Sequence, residues 1–252
     1  MEPILEVNNL TKTFHTEGKA SFTAVDHVSF RLYPGETLGI VGESGCGKST
    51  LAKTVSRLME LTEGSIRLCG RDITKAKGRE LRSAYRNMQM VFQDPVSSFD
   101  PRRTLGDSIG ESLRNSGCSK AETEKQVLGL LEQCGLPAEF AKRYPHEVSG
   151  GQCQRAAIAR ALAIEPKVLI CDEATSALDV TVQQQIMELL QTLRKSRGIS
   201  YVFICHNLAL VQSFCDRLLV MYGGKIVEEG TPNEVILCPK SDYTKLLLDS
   251  IL

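Results

Sequence analysis

Three groups of residues in this sequence have the types and spacing to do chemistry. The first is Gly42-Glu43-Ser44-Gly45-Cys46-Gly47-Lys48-Ser49-Thr50, which fits the phosphate-binding pattern G-x-x-x-x-G-K-[ST]. Gly42, Gly45 and Gly47 permit backbone conformations closed to residues with a Cβ, so successive N–H groups can turn inward and form an anion-binding nest. A helix starting near Gly47 adds its positive end. Lys48 brings a full charge to β- and γ-phosphates, and the Ser49 hydroxyl can ligate Mg²⁺. The second group is Asp172-Glu173, two acids closing an apolar run. In a chain with a phosphate loop, Asp172 is placed to hold Mg²⁺, directly or through water, and Glu173 to polarise an attacking water. The third is His206, at the end of another apolar run. A lone histidine is usually structural, but at the end of a strand parallel to the loop's strand it can reach a γ-phosphate.

These residues need elements to position them. The loop follows the β-prone run Glu36-Thr37-Leu38-Gly39-Ile40-Val41 and precedes a stretch where Leu51, Val55 and Leu58 recur at helical spacing. That is the strand, loop and helix order the pattern requires. Residues 167–171 and 201–205 read as buried parallel strands, and such strands deliver ligand-binding residues at their carboxyl ends. Residues 88–92 form one more, stopped by Pro95 after Gln93.

Residues 4–41 read as β-rich, with strands at residues 4–7 and 24–32 and Phe14 lying between them. That aromatic either stacks on a base or fills a small core, and core filling is the default. Residues 96–165 change character and read as helical, with a capping box at Ser119 and Glu122. Val148-Ser149-Gly150-Gly151-Gln152 precedes an Ala- and Arg-rich helix from Cys153, giving either a second anion-binding helix start or a flexible lead-in. A helix follows Asp179, Gly223-Gly224 marks a hairpin, and Thr231-Pro232-Asn233-Glu234 opens a further helix. The tail carries Leu246, Leu247, Leu248 and Ile251 and reads as a terminal helix packed on the domain.

The chain of 252 residues has 42% hydrophobic residues, ample for a core. Its 30 basic residues balance 30 acidic ones, so nothing favours nucleic acid as a partner. No apolar run approaches the roughly 18 residues of a membrane span, and the start lacks a signal peptide's pattern. The expected location is the cytosol, unless another protein holds the chain at a membrane. None of the nine cysteines form C-x-x-C, so Cys171 and Cys205 read as small buried hydrophobes rather than zinc ligands.

In their order, these features resemble the ATP-binding subunit of ABC transporters over nearly the whole chain. The matching residues are the phosphate loop (Walker A), Gln93 as Q-loop, Ser149, Gly150, Gly151 and Gln152 as signature, Asp172 and Glu173 closing Walker B, Ser176 to Asp179 as D-loop, and His206 as switch histidine. The resemblance implies an α/β fold: a P-loop NTPase (RecA-like) core with an antiparallel β-subdomain and an inserted α-helical subdomain. It implies one ABC ATPase domain over 1–252, with residues of about 1–93 and 166–252 as core plus β-subdomain and about 94–165 helical. Phe14 matches the aromatic that stacks on adenine. Glu173, His206 and Lys48 would be catalytic, and Ser49, Gln93 and Asp172 would serve Mg²⁺, Gln93 also sensing the γ-phosphate. Two subunits would face head to tail, so that Ser149, Gly150 and Gly151 complete the partner's ATP site.

A finer resemblance is to the peptide and nickel importer subfamily, through Phe92-Gln93-Asp94-Pro95-Val96-Ser97-Ser98-Phe99-Asp100-Pro101-Arg102 and the tail with Tyr243-Thr244-Lys245. It implies two permease subunits, a second ATPase subunit that is usually different, an extracytoplasmic binding protein acting indirectly, and a peripheral place on the cytoplasmic face of the membrane. Asn207 stands where an acid is usual, and Cys153 follows Gln152. The chain stops soon after Lys245, where many members extend, which leaves cargo open between peptides, nickel and metal complexes. The alternatives are a soluble ABC ATPase of DNA repair or translation and an exporter ATPase. Residues 51–148 lack the heptads of the repair class, and one module stands where translation factors have two.

Overall fold

The computed structural model describes residues 1–15, 20–175 and 178–249. In chain order it begins with β1 (Leu5–Phe14), β2 (Phe22–Leu32), β3 (Thr37–Val41), α1 (Lys48–Val55), β4 (Glu63–Leu68), β5 (Arg71–Asp72), α2 (Gly78–Asn87) and β6 (Met88–Val91). Three helices follow with no strand between them: α3 (Leu105–Asn115), α4 (Lys120–Gln133) and α5 (Gly150–Leu162). The chain returns to alternation with β7 (Val168–Asp172), α6 (Val180–Arg197), β8 (Ser200–Ile204), α7 (Leu208–Phe214), β9 (Arg217–Tyr222), β10 (Lys225–Gly230), α8 (Pro232–Leu237) and α9 (Asp242–Asp249).

Two sheets result. The antiparallel one runs β2-β1-β4-β5, and the other runs β10-β9-β3-β8-β7-β6. Within the second, β9, β3, β8, β7 and β6 are mutually parallel and β10 is antiparallel. Every residue of β3, β7 and β8 is buried, as a sheet covered on both faces demands. Their side chains alternate between two cores. Leu169, Cys171, Tyr201 and Phe203 face a core shared with α3 to α6, while Val168, Ile170, Val202 and Ile204 face one shared with α1 and the antiparallel sheet. A parallel sheet brings its carboxyl ends to one edge, so the segments after β3, β6, β7 and β8 converge there.

The capping boxes at Ser119 and Thr231 form, and Gly223-Gly224 turns the β9–β10 hairpin. Three details differ from the sequence reading. Phe14 does not lie between strands, because β1 runs on through it and pairs it with Phe22 across bulges in the ladder. Nor does it fill a core, being 37% exposed. Gly150 and Gly151 are not a lead-in but the first turn of α5, because Ser149 and Gln152 close a capping box around them. In α9, Leu247 and Leu248 are buried while Leu246 is 67% exposed; Ile251 lies outside the described residues.

Candidate active site

The phosphate loop joins β3 to α1 and is held to its shape by backbone sterics. A Cβ on Gly42, whose φ is +152°, would lie 2.1 Å from the Met221 carbonyl oxygen. One on Gly47, at φ +110°, would lie 2.1 Å from the Ala24 carbonyl oxygen. Both positions therefore need glycine for space as well as for conformation. Gly47 is the N-cap of α1 and brings no side chain to cap it, which leaves the first N–H groups of the helix free of a side-chain acceptor. The Gly224 N–H donates to the Cys46 carbonyl at 3.0 Å, tying the β9–β10 turn to the loop.

Lys48 is buried, and its Nζ donates to the carbonyl oxygens of Gly42 at 2.9 Å and Glu43 at 2.7 Å. Ser49 Oγ donates to Asp172 Oδ1 at 2.9 Å, so the end of β7 meets the start of α1. Asp172 is only 3% exposed. Burial pushes its carboxyl above the usual range, the Ser49 hydrogen bond opposes this, and the adjacent Glu173 charge adds to the rise. A hydroxyl, a carboxylate and an amide oxygen are the hard donors that suit Mg²⁺, so Ser49, Asp172 and Gln93 fit that ion chemically.

Glu173 has a left-handed backbone with φ +49°. Its Oε2 accepts from Gln93 Nε2 at 2.6 Å, and its Oε1 meets His206 Nε2. Residues at the ends of β6, β7 and β8 thus meet at one carboxylate. Gln93 and Glu173 also line a cavity of about 220 Å³ with Ser44, Gly45, Gly47, Lys48, Ser49 and Thr50, and Phe14 forms part of its wall. Phe22 lines it too, a residue the sequence reading missed. Its signal was available only through the β1–β2 register that sets it opposite Phe14.

The remaining motif residues lie elsewhere. Ser149, Gly151 and Gln152 line a separate groove with Val182 and Gln185. Ser149 Oγ accepts from the Gln152 N–H at 3.3 Å, and Gln152 Oε1 accepts from the Ser149 N–H at 2.9 Å. Asp179 caps α6, accepting from the Val182 N–H at 3.0 Å. Ser176 and Ala177 of the D-loop lie outside the described residues. Cys171 is fully buried and its thiol is pushed up to about 12 by burial, which keeps it a neutral core side chain; Cys205 is buried as well.

The sequence profile of ABC transporters matches residues 25–176, from β2 through the end of the phosphate-loop neighbourhood, the α5 start and Glu173. The "Oligopeptide transport ATP-binding protein OppF" of Haemophilus influenzae is 45% identical over 99% of this chain and 78% of its own length. The OppF of Bacillus subtilis is 46% identical over 99% of this chain and 83% of its own. The "Glutathione import ATP-binding protein GsiA" of Pectobacterium atrosepticum is 47% identical over 99% of this chain but only 41% of its own length. Among solved structures, the dimeric post-hydrolysis form of the ATP-binding cassette MJ0796 bound to ADP and Pi superimposes with a TM-score of 0.83 at 30% identity, covering 90% of this chain and 98% of that one. The cbiO1 subunit from Clostridium perfringens gives 0.81 at 28% identity, covering 94% and 92%. A phosphate loop whose cavity is lined by the strand-end residues Gln93 and Glu173, in a chain that its relatives match over nearly all of its own length, leaves one assignment: the chain belongs to the ABC transporter family.

Proposed function

We propose that this chain is the ATP-binding and hydrolysing subunit of an importer that carries peptides across the cytoplasmic membrane. The observation that carries the ATPase reading is Glu173, held by Gln93 and His206 at the wall of the phosphate-loop cavity. The loop amides and Lys48 hold the phosphates, and Phe14 stacks on the adenine. Glu173 orients the attacking water and takes its proton as the water oxygen bonds to the γ-phosphorus. The bond from that phosphorus to the bridging oxygen breaks, ADP departs with the electron pair, and His206 steadies the charge on the transferring group. Ser49, Asp172 and Gln93 would hold Mg²⁺, which would supply charge neutralisation to the phosphates.

The cavity includes neither Ser149 nor Gly151, and Ser149 and Gly150 are solvent-exposed. This supports a head-to-tail pair in which Ser149, Gly150, Gly151 and Gln152 of one subunit complete the site of the other, with Asp179 near the junction. Residues 94–165 form the helical subdomain of that pair, between the core halves 1–93 and 166–252. The other member of the pair is a second, different ATPase subunit, and the pair works with two membrane permeases and indirectly with an extracytoplasmic binding protein. The subunit sits peripherally on the cytoplasmic face of the membrane; among the described residues no helix is long and apolar enough to cross a membrane. Oligopeptides and glutathione, named for the relatives, favour a peptide cargo over nickel.

Glu173→Gln tests the ATPase mechanism. Loss of the general base or water-positioner lowers turnover by roughly 10²–10⁴, while ATP binding persists. Turnover near the wild-type rate removes Glu173 from the role.

A further inference from the structure

The C-terminal helix reaches the phosphate loop. Tyr243, in the first turn of α9, stands 200 residues from Glu43, yet its Oη accepts the Glu43 N–H at 2.9 Å. That N–H shares a peptide unit with the Gly42 carbonyl, and a planar peptide points the two groups in opposite directions. The Gly42 carbonyl in turn accepts Lys48 Nζ at 2.9 Å. One peptide plane is therefore gripped at both ends, by a tyrosine hydroxyl on one side and the loop's ammonium on the other. A hydrogen bond at the N–H polarises the carbonyl across the same unit and strengthens what it accepts.

Tyr243 is itself fixed. Its ring stacks on Tyr222 at the end of β9, with centroids 4.1 Å apart and planes at 28°. The chain leading into α9 is held by Glu228, whose carboxylate accepts the Lys240 N–H at 2.8 Å and the Ser241 N–H at 3.0 Å. Gly42 has no Cβ to resist rotation of the peptide that follows it, so an external anchor has a task at that point.

We propose that Tyr243 is a positioning residue of the phosphate loop: its hydroxyl fixes the peptide between Gly42 and Glu43 and, through that peptide, the seat of Lys48. This rests on the reading of the cavity as the ATP site. The hydroxyl does not itself reach the phosphates; it sets how Lys48 is presented to them.

The test is a double-variant cycle on the full chain. ATP dissociation constants are measured below the melting temperature for wild type, Tyr243→Phe, Lys48→Arg and the double variant. Tyr243→Phe deletes only the hydroxyl and keeps the ring stack. It weakens ATP binding about five-fold, as loss of one hydrogen bond does. With Lys48→Arg, whose planar guanidinium cannot sit on the two carbonyls in the same way, the same change costs less than about two-fold. Unchanged binding by Tyr243→Phe overturns the proposal, and so does an equal loss in both backgrounds, which would make the tyrosine a packing residue only. Failure of the wild-type chain to bind ATP would instead remove the ATP-site reading beneath it.

Discussion

Glu173 sits in a left-handed backbone conformation that side-chain-bearing residues avoid, at the point where three strands deliver their functional groups. Its N–H donates to the Ile204 carbonyl at 3.0 Å, so the neighbouring strand holds the turn that aims the carboxylate. Such strain costs on the order of 1–3 kcal/mol and persists where the surroundings impose it. The loop glycines separate two further costs. At Gly45, φ is +81° and a Cβ meets nothing within 4 Å, whereas at Gly42 it strikes the Met221 backbone. Gly45→Ala should therefore lower stability by about 1 kcal/mol from conformation alone and keep ATP binding. Gly42→Ala must displace β9 or the loop and should abolish binding. Melting curves and ATP titration of the two variants check this, and equal effects would remove the steric argument.

At the scale of elements, α5 and α6 meet at a glycine. A Cβ on Gly151 would come within 2.5 Å of Val182 Cγ1, so the start of α5 packs closely on the first turn of α6. Gly151→Ala should destabilise the chain by about 1–3 kcal/mol through overpacking, and Val182→Ala should recover most of that loss. Denaturant titration of the single and double variants measures the coupling; strictly additive effects would mean the two helices do not touch there. The β10–α9 connection carries a pH dependence. Burial works to raise the carboxyl of Glu228, but hydrogen bonds including those from the Lys240 and Ser241 N–H groups outweigh it and hold the group below the usual range. A lowered folded pKa gives stability that is complete above the unfolded value of about 4.3 and is lost as pH falls through the folded value. Glu228→Gln should thus be less stable than wild type by about 1–2 kcal/mol at pH 7, with the gap closing in acid below about pH 4. A gap that persists in acid would rule out the charge as its source.

At the scale of the molecule, the P-loop cavity and the α5 start line separate places on one chain, and the proposed head-to-tail pair is what would bring them together. A mild-detergent pull-down of the tagged chain from its own membranes, read by mass spectrometry, should bring two multi-span permeases and a second ATPase. Ribosomes or DNA-repair proteins in their place would sink the importer reading.

The parts written in a few consecutive residues were legible without a structure. The loop of residues 42–50, the acids at the end of β7, the box around Ser119 and the Gly223-Gly224 hairpin each rest on local backbone preference and local hydrogen bonds, which sequence order alone dictates. The α5 glycines show the limit even there, since the sequence left them open between helix start and lead-in, and the capping box closed by Ser149 and Gln152 makes them helix. Tertiary structure decided the rest. Glu173 meets a glutamine 80 residues away and a histidine 33 away, Phe22 joins Phe14 only through a bulged ladder, and Tyr243 finds the phosphate loop across 200 residues. Those meetings follow from which strands are parallel neighbours and how far each is shifted. That register is set by burying two core faces at once rather than by any run of residues along the chain.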